Sequence, residues 1–81
     1  MKNKLTLIKR SAPMCPECNT MQFILEQNGI EFDIIDIAKD PSAIEKYSIM
    51  SVPVMIIGEE GSQVRLNGVQ DIDLITELMN D

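Results

Sequence analysis

The only two cysteines of this chain stand as Cys15-Pro16-Glu17-Cys18, between a stretch that reads as a strand and one that reads as a helix. No other feature constrains the fold as much. Leu5-Thr6-Leu7-Ile8 has the apolar character of a strand, and Met21, Ile24 and Leu25 recur at helical spacing in the segment that ends at Asn28. Pro16 suits the first turn of a helix, where its missing N–H is no loss. Cys15 is therefore expected at a helix start, and a C-x-x-C pair at a strand-to-helix junction is the signature of a redox-active dithiol. A disulfide across so small a loop adds little chain-entropy stabilisation, because that effect grows with loop length. The spacing suits chemistry better than stapling.

Around this junction the chain reads as one domain, residues 1–81, near the lower size limit for an unaided core. With 44% hydrophobic residues, no tryptophan and few aromatics, the core is expected to be aliphatic. Leu5 to Lys9 is the first strand. Asn28-Gly29 closes the first helix with residues that tolerate a left-handed cap. Phe32 to Ile37 is a second strand, apolar enough to lie inside a sheet. Asp40-Pro41-Ser42 starts a short second helix, capped by Asp40, from which Ile44 and Tyr47 face the core. Val52 to Ile57 is a third strand, Gly58-Glu59-Glu60-Gly61 a hairpin turn, and Gln63 to Leu66 a fourth strand pairing back. Asp71 caps a last helix with Ile72, Ile75, Leu78 and Met79 as its buried stripe. The expected fold is α/β in the order β-α-β-α-β-β-α, a four-stranded mixed sheet with three helices. Both strand-helix-strand crossovers are expected to join parallel neighbours, and the hairpin an antiparallel pair.

A net charge of -6 argues against nucleic acid or an anionic membrane as partner. Lys2, Lys4, Lys9 and Arg10, four of the seven basic residues, lie in the first ten positions; the plain reading is a solvated terminus, the sharper one a basic strand end beside Cys15. The apolar run after Met1-Lys2-Asn3-Lys4 is too short for a signal peptide, and nothing approaches a membrane span. A cytoplasmic location is expected, where a lone cysteine pair is catalytic or metal-binding more often than structural. The chain has no histidine, which excludes a Cys-His hydrolase, and two thiols fall short of the four ligands that zinc normally takes.

Three landmarks, in order, resemble the thioredoxin superfamily in the size class of glutaredoxins and glutaredoxin-like redoxins. They are Cys15-Pro16-Glu17-Cys18, then Ser51-Val52-Pro53 about 35 residues later, then Asn67-Gly68-Val69 before the last helix. The resemblance implies a thioredoxin-like fold over nearly the whole chain and a cis Pro53 facing the dithiol. It also implies that Val52, Pro53 and Gly68 line a substrate groove in which the Val52 backbone pairs with a bound peptide or glutathione like an added strand. Pro53 read plainly is a proline at the start of a strand, and Gly68 a turn glycine. Within the superfamily the signals divide. Ser11-Ala12-Pro13-Met14-Cys15 resembles the thioredoxin approach to the motif, with Met14 in place of the usual aromatic. Ala12 stands where glutaredoxins carry a glutathione-binding lysine, and Lys9 where thioredoxins bury an aspartate. Leu66 to Asp71 is similar to the glutaredoxin pattern G-G-x-D-D, with its first Gly and first Asp replaced.

The expected function is a dithiol oxidoreductase that reduces protein disulfides, in character closest to glutaredoxin-sized electron donors such as those serving ribonucleotide reductase. Cys15 is expected to be the exposed nucleophile. The helix N-terminus lowers its pKa, Lys9 or Arg10 assists, and Glu17 opposes. Cys18, deeper on the same helix face, is expected to resolve the mixed disulfide. Thr6 and Tyr47 read as structural. No bound cofactor or metal is expected. Reducing equivalents would come from a flavoprotein thioredoxin reductase or from glutathione, and the protein would act as a monomer on a disulfide-containing protein. The alternatives are a glutathione-dependent glutaredoxin, an iron–sulfur or metal carrier that binds through Cys15 with or without Cys18, and a non-catalytic interaction domain.

Overall fold

The computed structural model describes residues 3–59 and 61–80. Lys2 and Glu60, which belong to the readings of the basic N-terminus and of the hairpin turn, lie outside the described residues. The elements follow the expected order: β1 (Leu5–Lys9), α1 (Pro16–Gln27), β2 (Asp33–Asp36), α2 (Ser42–Lys46), β3 (Val54–Ile57), β4 (Val64–Asn67) and α3 (Ile72–Met79). They build a four-stranded sheet in the order β2-β1-β3-β4.

The direction of β3 departs from expectation. β1 and β2 are parallel, but β3 runs antiparallel to β1, with Ile8 opposite Val54 and Leu5 opposite Ile57. The two connections differ in the helix they carry. α1 has 12 residues, about 18 Å of helix, enough to return the chain along a strand. α2 has only five, about 7.5 Å, against about 13 Å for a four-residue strand. The chain leaves α2 at the end of the sheet where it entered, so β3 starts there and runs back. β4 then returns antiparallel to β3, Asn67 opposite Val54. The end of β1, the start of β3 and the end of β4 thus meet at one edge of the molecule, and the loops that follow or precede them carry Cys15, Pro53 and Gly68.

Alternation along the central strands makes two apolar layers. Leu5, Leu7, Met55 and Ile57 pack on one face with Met21 and Leu25 of α1 and Ile75 and Met79 of α3. Ile8, Val54 and Ile56 face the other way, covered by Ile35, Ile37, Tyr47, Ile49 and Val52. Two expectations are corrected here. β2 lies at the edge of the sheet rather than inside it, and Asp33 and Ile34 are exposed. On α2 the buried residue is Ala43, while Ile44 is 42% exposed; Tyr47 does pack inward. The close approach of a helix barely more than one turn long favours the small side chain. Asp40 does not cap α2 with its side chain: Pro41 holds the N-cap position, the Asp40 carbonyl accepts from Ala43 N–H at 3.1 Å, and the Asp40 carboxylate bonds the Ser42 hydroxyl. Asp71 caps α3 as expected, accepting from the Asp73 amide at 2.9 Å. Among the described residues no helix is long and apolar enough to cross a membrane.

Candidate active site

Cys15 is the N-cap residue of α1, with extended backbone angles (φ -119, ψ 99), and Pro16 follows inside the helix. An N-cap normally offers an oxygen to the unpaired amides of the first turn. Here the acceptor is sulfur: Cys18 N–H donates to Cys15 Sγ at 3.1 Å. The two cysteines are joined as a disulfide, with Cα atoms 5.2 Å apart. Cys15 is 5% exposed and Cys18 fully buried. The expected order of accessibility holds, but Cys15 presents only a sliver of surface rather than an exposed thiol; the Val52 carbonyl and the start of the helix lie against its sulfur.

The sheet topology brings the other two landmarks to this point. The Val52-Pro53 bond is cis, and Cys15 Sγ lies 4.0 Å from the Val52 carbonyl oxygen. The Val52 amide has no hydrogen-bond partner among the described residues. Gly68 donates its N–H to the Pro53 carbonyl at 2.8 Å, which ties the β4–α3 turn to the cis-proline loop. Its φ of +80° is a conformation that glycine adopts without penalty, and a Cβ there would point into open space. Backbone geometry, rather than crowding, calls for glycine. Gln70 N–H reaches Met21 Sδ at 3.4 Å, so the same turn is also fastened to α1.

Neither basic side chain preceding the motif touches the sulfur. Lys9 Nζ donates to Gln22 Oε1 of α1 at 2.8 Å, and Arg10 Nε to the Pro13 carbonyl at 3.0 Å. The helix start is the positive influence on Cys15, and Glu17 in the first turn opposes it. The approach loop has an anchor the sequence did not reveal. Asp36, the last residue of β2, accepts from the Ser11 amide at 3.1 Å and the Ala38 amide at 3.0 Å. The Ser11 side chain is the main cause that holds its carboxyl below the ordinary range; desolvation, next in size, opposes it, and the two amides and the Lys39 charge add to the lowering. The Ala12-Pro13 bond in this loop is also cis. Among the described residues no group of three or more His, Cys, Asp or Glu is placed to hold a metal.

A glutaredoxin family model matches residues 4–61, from the start of β1 through the β3–β4 turn. The chain belongs to the glutaredoxin family. Its relatives place that membership within the wider thioredoxin superfamily. The thioredoxin-like protein YosR of the SPbeta prophage of Bacillus subtilis (strain 168) is 33% identical over 61 residues, 74% of this chain and 76% of YosR. The thioredoxin of Chlamydia caviae is 30% identical over 82 residues, covering 94% of this chain and 80% of its own length. Among solved structures, the NrdH-redoxin of Escherichia coli, described as glutaredoxin-like with a thioredoxin-like activity profile, aligns with a TM-score of 0.74 at 24% identity over 93% of each chain. This glutaredoxin-family redoxin is thus a thiol-disulfide oxidoreductase whose redox-active pair is the C-x-x-C motif, on a thioredoxin-like fold.

Proposed function

We propose that this redoxin, acting as a single domain, reduces disulfides in other proteins by two successive exchanges. In the reduced protein the Cys15 thiolate attacks one sulfur of the target disulfide. That S–S bond breaks, the leaving thiolate takes a proton from solvent, and a mixed disulfide joins Cys15 to the target. Cys18 then loses its proton and attacks Cys15 Sγ, the mixed disulfide breaks, and the second target thiol departs. The Cys15–Cys18 disulfide remains, and two electrons from a reductant reset the cycle. The reading rests on one observation: Cys15 is the N-cap, its sulfur accepts the Cys18 amide, and it is the only one of the two cysteines with any exposed surface.

The helix N-terminus favours the thiolate of Cys15. An unperturbed thiol of pKa ~8.5 is only about 3% ionised at pH 7, whereas one at ~7 is about half ionised, so even a modest shift raises the attacking population severalfold. The unpaired Val52 amide and the nearby carbonyl give a target segment a short edge along which to align, and Pro53 and Gly68 complete that wall.

The proposed reductant is a flavoprotein of the thioredoxin reductase type, because Ala12 offers no cation to a glutathione carboxylate. The E. coli NrdH-redoxin, glutaredoxin-like in family and thioredoxin-like in activity profile, sets the precedent for that combination. Supply of electrons to ribonucleotide reductase is the corresponding cellular role. The glutaredoxin family match keeps a glutathione cycle as the second reading. An NADPH-coupled assay with thioredoxin reductase, run against glutathione plus glutathione reductase, separates the two: turnover by glutathione alone overturns the proposed order. Cys18→Ser should trap targets as mixed disulfides on Cys15, and trapping on Cys18 by the Cys15→Ser variant would reverse the assigned roles.

A further inference from the structure

Next to Val52 the surface opens into a groove of about 190 Å3, between Arg10 of the approach loop and the α2–β3 connection. Ile44 and Ile49 line it together with Met50, which is 97% exposed, and Arg10. Val52 belongs both to the groove and to the redox site, its carbonyl oxygen being 4.0 Å from Cys15 Sγ. In a protein with 13 acidic and 7 basic residues this groove is lined by one cation and no carboxylate. Arg10 uses only Nε within the protein, and its terminal nitrogens have no hydrogen-bond or ion-pair partner among the described residues.

We propose that this groove is a specificity subsite for the target polypeptide, taking an aliphatic side chain on Ile44, Ile49 and Met50 and a carboxylate on Arg10. The proposal rests on the redox reading above and adds the kind of target segment: one whose disulfide is flanked by an aliphatic residue and an acidic one. Three properties of the groove argue for that occupant. Its apolar half is wet until something aliphatic covers it, and glutathione has no such side chain to offer. Methionine at the rim adapts its shape to different aliphatic groups. A guanidinium with two idle terminal nitrogens matches a carboxylate by paired hydrogen bonds. Continuity through Val52 means that a target aligned along the free Val52 amide delivers its neighbouring side chains to this groove in the same encounter.

The test uses the pre-reduced protein in single turnover, which needs no reductase. Four disulfide-bridged peptides carry Leu-Glu, Ser-Glu, Leu-Lys or Ser-Lys beside the cysteine. The second-order rate constant should be highest for Leu-Glu, with Leu favoured over Ser by about tenfold and Glu over Lys by about threefold to fivefold. Arg10→Glu should invert the Glu/Lys preference and Arg10→Gln should abolish it, while the Leu/Ser preference persists in both. Ile44→Ser should weaken the Leu/Ser preference and keep the charge preference. Equal rates for all four peptides, an unchanged charge preference in Arg10→Glu, or faster reaction with a glutathione mixed disulfide than with Leu-Glu would overturn the subsite. Hydroxyethyl disulfide, small and uncharged, separates the two layers of the argument: failure of the wild-type protein to reduce it sinks the redox reading itself, whereas its reduction with a flat peptide profile sinks only the groove.

Discussion

Arg65→Met is the perturbation that tests most directly how the site is held. Arg65 lies on the edge strand β4, opposite Ile56, and its guanidinium reaches across to the end of α2. Nη1 donates to the Tyr47 carbonyl, Nη2 to the Ser48 carbonyl at 3.1 Å, and Nε lies 3.4 Å from Asn67 Oδ1. Tyr47 is the C-cap of α2, and Ser48 has a left-handed φ of +53°. A cation on the last carbonyls of a helix satisfies unpaired acceptors and complements the dipole. Hydrogen bonds from a charged donor are worth about 1.5–3 kcal/mol where water is excluded. Here the side chain is exposed and water can replace it, so each of the two carbonyl bonds contributes ~0.5–1 kcal/mol and the long contact to Asn67 little. The expected loss is about 1–2 kcal/mol, which for a domain of this size lowers Tm by roughly 5–10 °C. Circular-dichroism melts of the oxidised protein measure it directly. Arg65→Lys, which keeps the charge but not the fork, should recover about half of the loss. A Tm within ~2 °C of wild type for Arg65→Met, or no recovery with lysine, would refute the clamp.

Other outcomes follow from the same geometry. In Cys18→Ser, thiolate absorbance of Cys15 should titrate below ~8.5, since the helix start outweighs the desolvation of a nearly buried thiol; a value at or above that figure contradicts the N-cap argument. Glu17→Gln should move the same titration further down. Asp36 has a folded pKa below its ordinary value, so its stabilising contribution is present above ~pH 4 and disappears as pH falls through the lower folded value. Melts of wild type and Asp36→Asn should therefore differ at neutral pH and converge in acid; a constant difference down to pH ~2 would exclude the linkage. Gly68→Ala should cost about 1 kcal/mol in urea denaturation because of its positive φ, and no loss would mean the turn relaxes freely.

Much of the fold was legible because it is local. Pro16, Asn28-Gly29 and Asp71 mark helix ends through their own backbone preferences, and each does so in the structure. The stripe of Ile72, Ile75, Leu78 and Met79 announced the buried face of α3, and all four pack on the core. Less was legible where two distant segments decide. Phe32 to Ile37 is apolar enough for an interior strand, yet it pairs only with β1 and lies at the edge. Ile44 looked like a core residue by type, but the short α2 buries Ala43 instead. Lys9 and Arg10 stand near Cys15 in sequence, and their side chains turn to Gln22 and Pro13.

By itself the sequence determined the chemistry: two thiols one helical turn apart, a proline that starts the helix between them, and no histidine to serve a Cys-His hydrolase. Those properties depend on residue type and on spacing within a few positions, which backbone sterics translate directly into geometry. The tertiary structure alone decided what surrounds the sulfur. The antiparallel return of β3 places Val52 against Cys15 and brings Gly68 to Pro53. The same return folds Met50 and Ile49 beside Arg10 to form the groove. Such neighbours are tens of residues apart in the chain, and only the packing of the two apolar layers specifies which of them meet.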